Sequence, residues 1–241
     1  MLALLVLVAA VWRGAADRNA RAALIQAAPE SILGQDRLRR TAIAIGGPIF
    51  ARACASCHGA DGAGLRDQSA PDLTDGDFLY GSGSVAEIEQ IVLHGIRSGD
   101  PKGWNLASMP AYATARPYAA EDIPPLRPGE IDDVVAYLRS LHGDVPDAEA
   151  ARRGRAIYSG KGGCYDCHAS DGGGDTAVGA PNLLDDVWLY GDGSPAALRR
   201  SVAGGHAGVM PGFARSLSPV EARAVAAFAV SLRTRSSGGS R

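Results

Sequence analysis

Apolar residues recur with a helical period in several stretches of this chain, and glycine-, aspartate- and proline-rich segments separate them. Two matched stretches, Thr41 to Ala55 and Ala150 to Tyr158, are amphipathic. Each runs directly into a cysteine-containing motif with no strand-like alternation around it. Between them lie segments with little periodicity, Gly59 to Gly76 and Gly172 to Pro181. The pattern predicts a mainly α protein of small helices joined by irregular loops.

Helix boundaries are marked by capping chemistry. Ser84-Val-Ala-Glu87 has capping-box spacing and predicts a helix running to about Ile96. Its counterpart begins at Ser194 with Pro195 in the first turn, where a missing N–H costs nothing. A last helix is predicted from near Pro128 in the first half. In the second half, Ser218, Pro219 and Glu221 combine a cap, a first-turn proline and the box.

The matched elements make a tandem repeat. Cys54, Asp61, Pro71 and Leu79-Tyr80-Gly81 reappear 110 positions later as Cys164, Asp171, Pro181 and Leu189-Tyr190-Gly191. Gly46-x-x-Ile49-Phe50 matches Gly154-x-x-Ile157-Tyr158, and Ala136-Tyr137 matches Ala227-Phe228. The first copy carries nine extra residues around Ser98 to Ala107. The organisation expected is an apolar segment (1–12), a connecting segment (13–40), one module (41–143), a short linker (144–149), a second module (150–234) and a disordered tail (235–241). Each module has the size of a small domain.

The apolar start, Met1 to Trp12, ends at Arg13. As a helix it spans about 18 Å, short of a hydrocarbon core of roughly 30 Å. It has the length of a signal-peptide core, without a basic stretch before it or a clean small-residue cleavage site after it. The run predicts export or anchoring, by a cleaved leader or a partial membrane anchor.

The chemistry lies in the repeat. All four cysteines fall in Cys54-Ala-Ser-Cys57-His58 and Cys164-Tyr-Asp-Cys167-His168. This is the attachment pattern of a c-type haem. Two thiols one helical turn apart add across the porphyrin vinyl groups, and the following histidine ligates the iron. A zinc ribbon would bring its cysteine pairs within roughly 20 residues of each other, and a thioredoxin-like pair needs a βαβ context. Two covalent haems are therefore expected.

Beyond the initiator there are two methionines, Met109 and Met210, and each precedes a proline at matched places in the repeat. A thioether opposite histidine is the ligand pair of electron-transfer cytochromes, so Met109 and Met210 are the expected sixth ligands. Pairing each methionine with the histidine of its own module is the simpler geometry; exchange would need closely packed modules. His94 and His206 occupy non-equivalent positions and are expected at the surface or behind the ligands. His142 suits a helix C-terminus. Tyr80, Tyr190 and Trp188 are expected either against haem edges or, equally, as ordinary core packing.

Composition removes other classes. With 24 basic and 26 acidic residues the net charge is −2, and no basic cluster interleaves with aromatics, so nucleic-acid binding has no support. No serine–histidine–aspartate or phosphate-loop pattern is present. Asp132-Asp133 and Glu121-Asp122 read as solvated or capping charge.

Several further motifs carry a family resemblance. They are Pro71-Asp72-Leu73, Asp77-Phe78-Leu79-Tyr80-Gly81, Pro181-Asn182-Leu183 and Asp186-Val187-Trp188-Leu189-Tyr190-Gly191, with His94-Gly95-Ile96-Arg97, Met109-Pro110-Ala111-Tyr112 and the lead-in Ala28 to Leu33. From about Leu24 to Leu232 the chain resembles the dihaem subunit III of cbb3-type cytochrome c oxidases. The family's full N-terminal membrane helix is not matched by residues 1–12.

The resemblance implies two tandem cytochrome c-like domains on the periplasmic side of the cytoplasmic membrane. They would pass electrons from a cytochrome c donor to the catalytic and monohaem subunits of the oxidase, with no catalysis by this chain alone. It assigns Cys54, Cys57, His58 and Met109 to one haem, and Cys164, Cys167, His168 and Met210 to the other. Two alternatives are a free periplasmic dihaem carrier and, against the two methionine-prolines, a dihaem peroxidase with an open iron.

Overall fold

The computed structural model describes residues 2–65, 70–115 and 124–236, with backbone alone for 2–11, 13 and 234–236. Glu121 and Asp122 lie outside the described residues. The described residues form helices and isolated β-bridges, with no strand.

Helix α1 (Leu2–Gln26) continues the apolar start well beyond Trp12. A single 3₁₀ turn (Pro29–Ser31) leads to α2 (Asp36–Ala53), and the short α3 (Ala55–His58) carries the first haem motif. Then come α4 (Val85–His94) and α5 (Pro128–Ser140), which complete the first repeat. The second repeats this order as α6 (Ala148–Tyr158), α7 (Tyr165–His168), α8 (Pro195–Gly204) and α9 (Pro219–Ser236). Residues 237–241 of the expected tail are outside the description; Ser236 still belongs to α9.

The capping signals are realised. Ser84 Oγ accepts the Glu87 N–H at 3.3 Å, and the Glu87 carboxylate accepts the Ser84 N–H at 3.3 Å. Ser194 Oγ accepts from Ala197 N at 3.3 Å, and the Glu221 carboxylate accepts from Ser218 N at 2.9 Å. Helix α4 gains a second cap from far along the chain. The Glu30 carboxylate accepts the N–H groups of Val85 and Ala86 at 3.1 and 2.9 Å, where the positive end of the helix dipole favours it.

Packing crosses between the repeats. Helix α2 lies on α9, and α6 lies on α5; α4 completes the first group and α8 the second. Both crossings are close because of a glycine. A Cβ on Gly46 would sit 2.3 Å from the carbonyl oxygen of Ala224, and one on Gly154 would sit 1.9 Å from that of Asp133. Beside these crossings Phe50 meets Phe228 at 5.3 Å between ring centroids, and Tyr158 meets Tyr137 at 5.1 Å. The first helix of each repeat therefore packs on the last helix of the other. Sequence modules and packing units do not coincide.

The stretch 13–40 does more than connect. Leu24, Ile32 and Leu38 are buried with Ala42, Val85, Ala224 and Ala227 in one apolar cluster. Arg223 of α9 pairs with the buried Glu89 of α4 and donates to the Ala27 carbonyl at 3.1 Å, tying three helices together. The acidic pair of α5 also has partners. Asp133 accepts from Arg153 of α6 through two nitrogens at 2.9 and 2.7 Å, and Asp132 pairs with Arg199 of α8. The expectation of simple solvated charge is corrected here, since these aspartates join helices. No helix among the described residues is long and apolar enough to cross a membrane.

Candidate functional site

Each helix group holds a cavity beside one C-x-x-C-H motif. The first, of about 450 Å³, is lined by Phe50, Cys54, Cys57 and His58 together with Met210, Phe213 and Val225. The second, of about 170 Å³, is lined by Cys164, Cys167, His168 and Tyr158 together with Met109, Val134 and Leu138. Each methionine lines the same cavity as the histidine of the other repeat: Met210 with His58, and Met109 with His168. The simpler within-module geometry expected from the sequence is not the arrangement of these cavities. The cause is the packing just described: each methionine precedes its repeat's last helix, and that helix lies on the other repeat.

The local fold sets the motifs for haem chemistry. Helices α3 and α7 are one turn long, placing Cys54 with Cys57 and Cys164 with Cys167 on one side and their histidines at the end. His58 Nδ1 lies 3.3 Å from the Pro71 carbonyl, and His168 Nδ1 lies 3.0 Å from that of Pro181. A carbonyl can only accept, so Nδ1 carries the proton and Nε2 is left with its lone pair for a metal. Burial lowers the pKa of both imidazoles, against the smaller opposing effect of those carbonyls. This favours the neutral, ligating form. Burial also raises the thiol pKa of Cys54 and of Cys167. All four cysteines are free of disulfides.

The methionine loops are held by backbone pairing across the repeats. Met210 and Ile96 exchange N–H···O bonds of 2.9 and 3.0 Å, and Met109 and His206 exchange two of 2.9 Å. Ile96 and His206 are thus equivalent places, one apolar and one an imidazole. The His206 ring stacks on Tyr190 at 3.5 Å, almost parallel. Its Nε2 is buried with no hydrogen-bond partner among the described residues, and the ring lines the second cavity. It therefore lies behind a methionine and away from the surface. An unpartnered buried nitrogen beside a cavity is what a pocket built around a missing group leaves behind.

His94 lies outside both linings and bonds Asp100 through Nδ1 at 3.1 Å. His142 does more than close a helix: its Nε2 lies 2.9 Å from the Leu183 carbonyl and its ring rests on Trp188 at 5.2 Å. Trp188 lines the second cavity, while Tyr80 and Tyr190 line both, in keeping with the expectation for these aromatics. Sequence comparison missed the shared wall between the cavities. Leu79, Tyr80, Arg97 and Tyr190 line the two cavities at once. The signal available was the repeated Leu-Tyr-Gly element.

Apolar walls, paired thiols, a histidine with a free Nε2 and a thioether opposite it fit a covalently bound haem in each cavity. When bound, that group supplies one-electron redox chemistry. Cys54, Cys57, His58 and Met210 would hold one such group, and Cys164, Cys167, His168 and Met109 the other, with the apolar walls excluding water. A mainly helical fold with such sites defines a c-type cytochrome.

Comparison with known proteins sharpens the class. The family model described as cytochrome c matches residues 43–142, and that described as cytochrome C oxidase, cbb3-type, subunit III matches residues 149–228. The chain is 37% identical over 200 residues to the cbb3-type cytochrome c oxidase subunit FixP of Azorhizobium caulinodans, covering 83% of this chain and 62% of that protein. It is 36% identical over 195 residues to subunit CcoP of Rhodobacter capsulatus, covering 78% and 61%. With subunit FixP of Bradyrhizobium sp. it shares 37% identity over 213 residues, covering 88% and 68%. The chain belongs to the CcoP/FixP family of cbb3-type oxidase subunits. It spans about three fifths of the length of the first two of these relatives.

Proposed function

We propose that this chain is a dihaem electron-transfer subunit of a cbb3-type terminal oxidase. Cys54 and Cys57 would hold one haem covalently, with His58 and Met210 as ligands to its iron. Cys164 and Cys167 would hold the other, with His168 and Met109 as ligands. The haem domains face the periplasm at the cytoplasmic membrane, take electrons from a cytochrome c donor and pass them to the catalytic and monohaem subunits. The chain has no oxygen or peroxide chemistry of its own, since a methionine stands opposite each ligating histidine.

The observation that carries this reading is the shared wall. Leu79, Tyr80, Arg97 and Tyr190 line both cavities, so haems held there would be parted by little more than these side chains, as a subunit relaying charge through a complex requires. The test is purification from solubilised membranes, scored for a copper- and b-haem-containing partner, with and without this chain. Co-purification, and slower oxidation of added cytochrome c in its absence, is the expected result. Recovery of the protein free of membranes and partners, or peroxide turnover by the purified chain, overturns it.

A further inference from the structure

The wall between the two cavities contains one permanent charge, Arg97. Its backbone has φ of 50°, a left-handed conformation that is strained for a side-chain-bearing residue and persists only where the surroundings enforce it. The nine-residue excess of the first repeat supplies that enforcement. Arg97 N donates to the Trp104 carbonyl at 2.8 Å, and Trp104 N donates to the Gly95 carbonyl at 3.1 Å. The Trp104 ring also meets the edge of Tyr80 at 5.4 Å.

The guanidinium is fixed from three sides. Nε donates to the Gly208 carbonyl at 2.6 Å, and Nη1 donates to Tyr80 Oη at 2.7 Å and to the Ala107 carbonyl at 3.2 Å. Gly208 leads to Met210 and Ala107 leads to Met109, so one side chain braces both methionine loops. Nη2 makes no hydrogen bond among the described residues, and Arg97 borders both cavities. The equivalent position of the second repeat is Ala207, so the pseudo-symmetric pair of sites has a single such arginine.

We infer that Arg97 is a shared positioning and tuning residue, one cation that raises the reduction potential of both haems. This rests on the haem sites of the proposed function, whatever the chain's partner. Oxidation adds a positive charge to each haem centre, and a fixed cation in a low-dielectric wall opposes it. Arg97 is the only permanently charged side chain among the described residues lining the second cavity, whereas Asp72, Asp75, Asp77 and Arg233 also line the first. Those charges offset the two potentials from each other without altering the direction of the Arg97 effect on either.

The test is potentiometric titration of the dihaem chain, with visible spectra resolving the two centres and the near-infrared sulfur-to-iron band reporting ligation. Arg97→Gln should lower both midpoint potentials, with the band retained. Arg97→Lys should return both most of the way. Tyr80→Phe keeps every charge and removes one anchor of the guanidinium, and should lower both by a smaller amount. A shift in one haem only, in neither, or upward in either overturns the inference. Should Arg97→Gln fail to retain haem, Arg97→Lys and Tyr80→Phe decide: both potentials moving together supports it, and one moving alone overturns it. Loss of oxidase association with these shifts intact would count against the proposed partner and leave Arg97's role standing.

Discussion

Met109 and His206 exchange both of their backbone hydrogen bonds, each 2.9 Å long, so the methionine of the first repeat is fastened to the second. The matching exchange between Met210 and Ile96 fastens the second to the first. Each methionine backbone is thus tied to the other repeat.

Crossed ligation is separable from the parallel kind by combining variants. With Cys54 and Cys57 both replaced by serine, one covalent haem should remain after acid–acetone extraction, held by Cys164 and Cys167. In that background Met109→Ala should abolish the near-infrared sulfur-to-iron band and lower the remaining potential, while Met210→Ala should leave the band in place. The reverse pattern would restore within-repeat pairing.

The glycine crossings predict large stability losses from the smallest of side chains. Gly154→Ala and Gly46→Ala each press a methyl group into a backbone carbonyl of the facing helix. Each should cost about 3 kcal/mol in denaturant unfolding of the haem-loaded protein. Gly129→Ala is the control: it lies in α5 with nothing near its would-be Cβ. That variant should be neutral or stabilising by up to about 1 kcal/mol. Equal losses at all three positions would contradict the close-crossing account.

Acid should weaken the joint between α5 and the α6–α7 turn. Glu130 bonds Arg127 at 2.8 Å and Lys161 at 2.5 Å, and these contacts hold its pKa down at about 2. A carboxylate with a depressed folded-state pKa stabilises the fold above its ordinary value of 4.5 and loses that contribution as pH falls toward 2. Glu130→Gln should therefore reduce stability at neutral pH, do little near pH 2, and flatten the stability profile between. A parallel drop at every pH would show that the charge is not the cause.

Much of this protein could be read from its sequence, and the exceptions share a cause. Haem motifs, helix caps and both methionines are local signals, written within a few residues of each other. The exchange of helices is not local. Phe50 packs on Phe228, yet Tyr137 is its repeat equivalent and offers a similar ring at a similar place. Repeat alignment shows which residues correspond, and interchangeable partners hide which copy they touch. The part played by Arg97 escaped for the opposite reason. Its counterpart, Ala207, shares none of its chemistry, so the comparison that revealed the repeat gave no reason to single it out. Glu30 caps a helix 55 positions away, a distance at which no spacing rule operates.

The exchanged last helices also bear on how such a chain is made. Synthesis delivers Cys54, Cys57 and His58 early, but Met210 and α9, which line the same cavity, come only after most of the second repeat has been made. A chain halted before Met210 can offer its first haem two thiols and a histidine but no closed cradle. The earliest cofactor site then waits on the late helix, so products truncated before it announce themselves by an open, oxidisable haem.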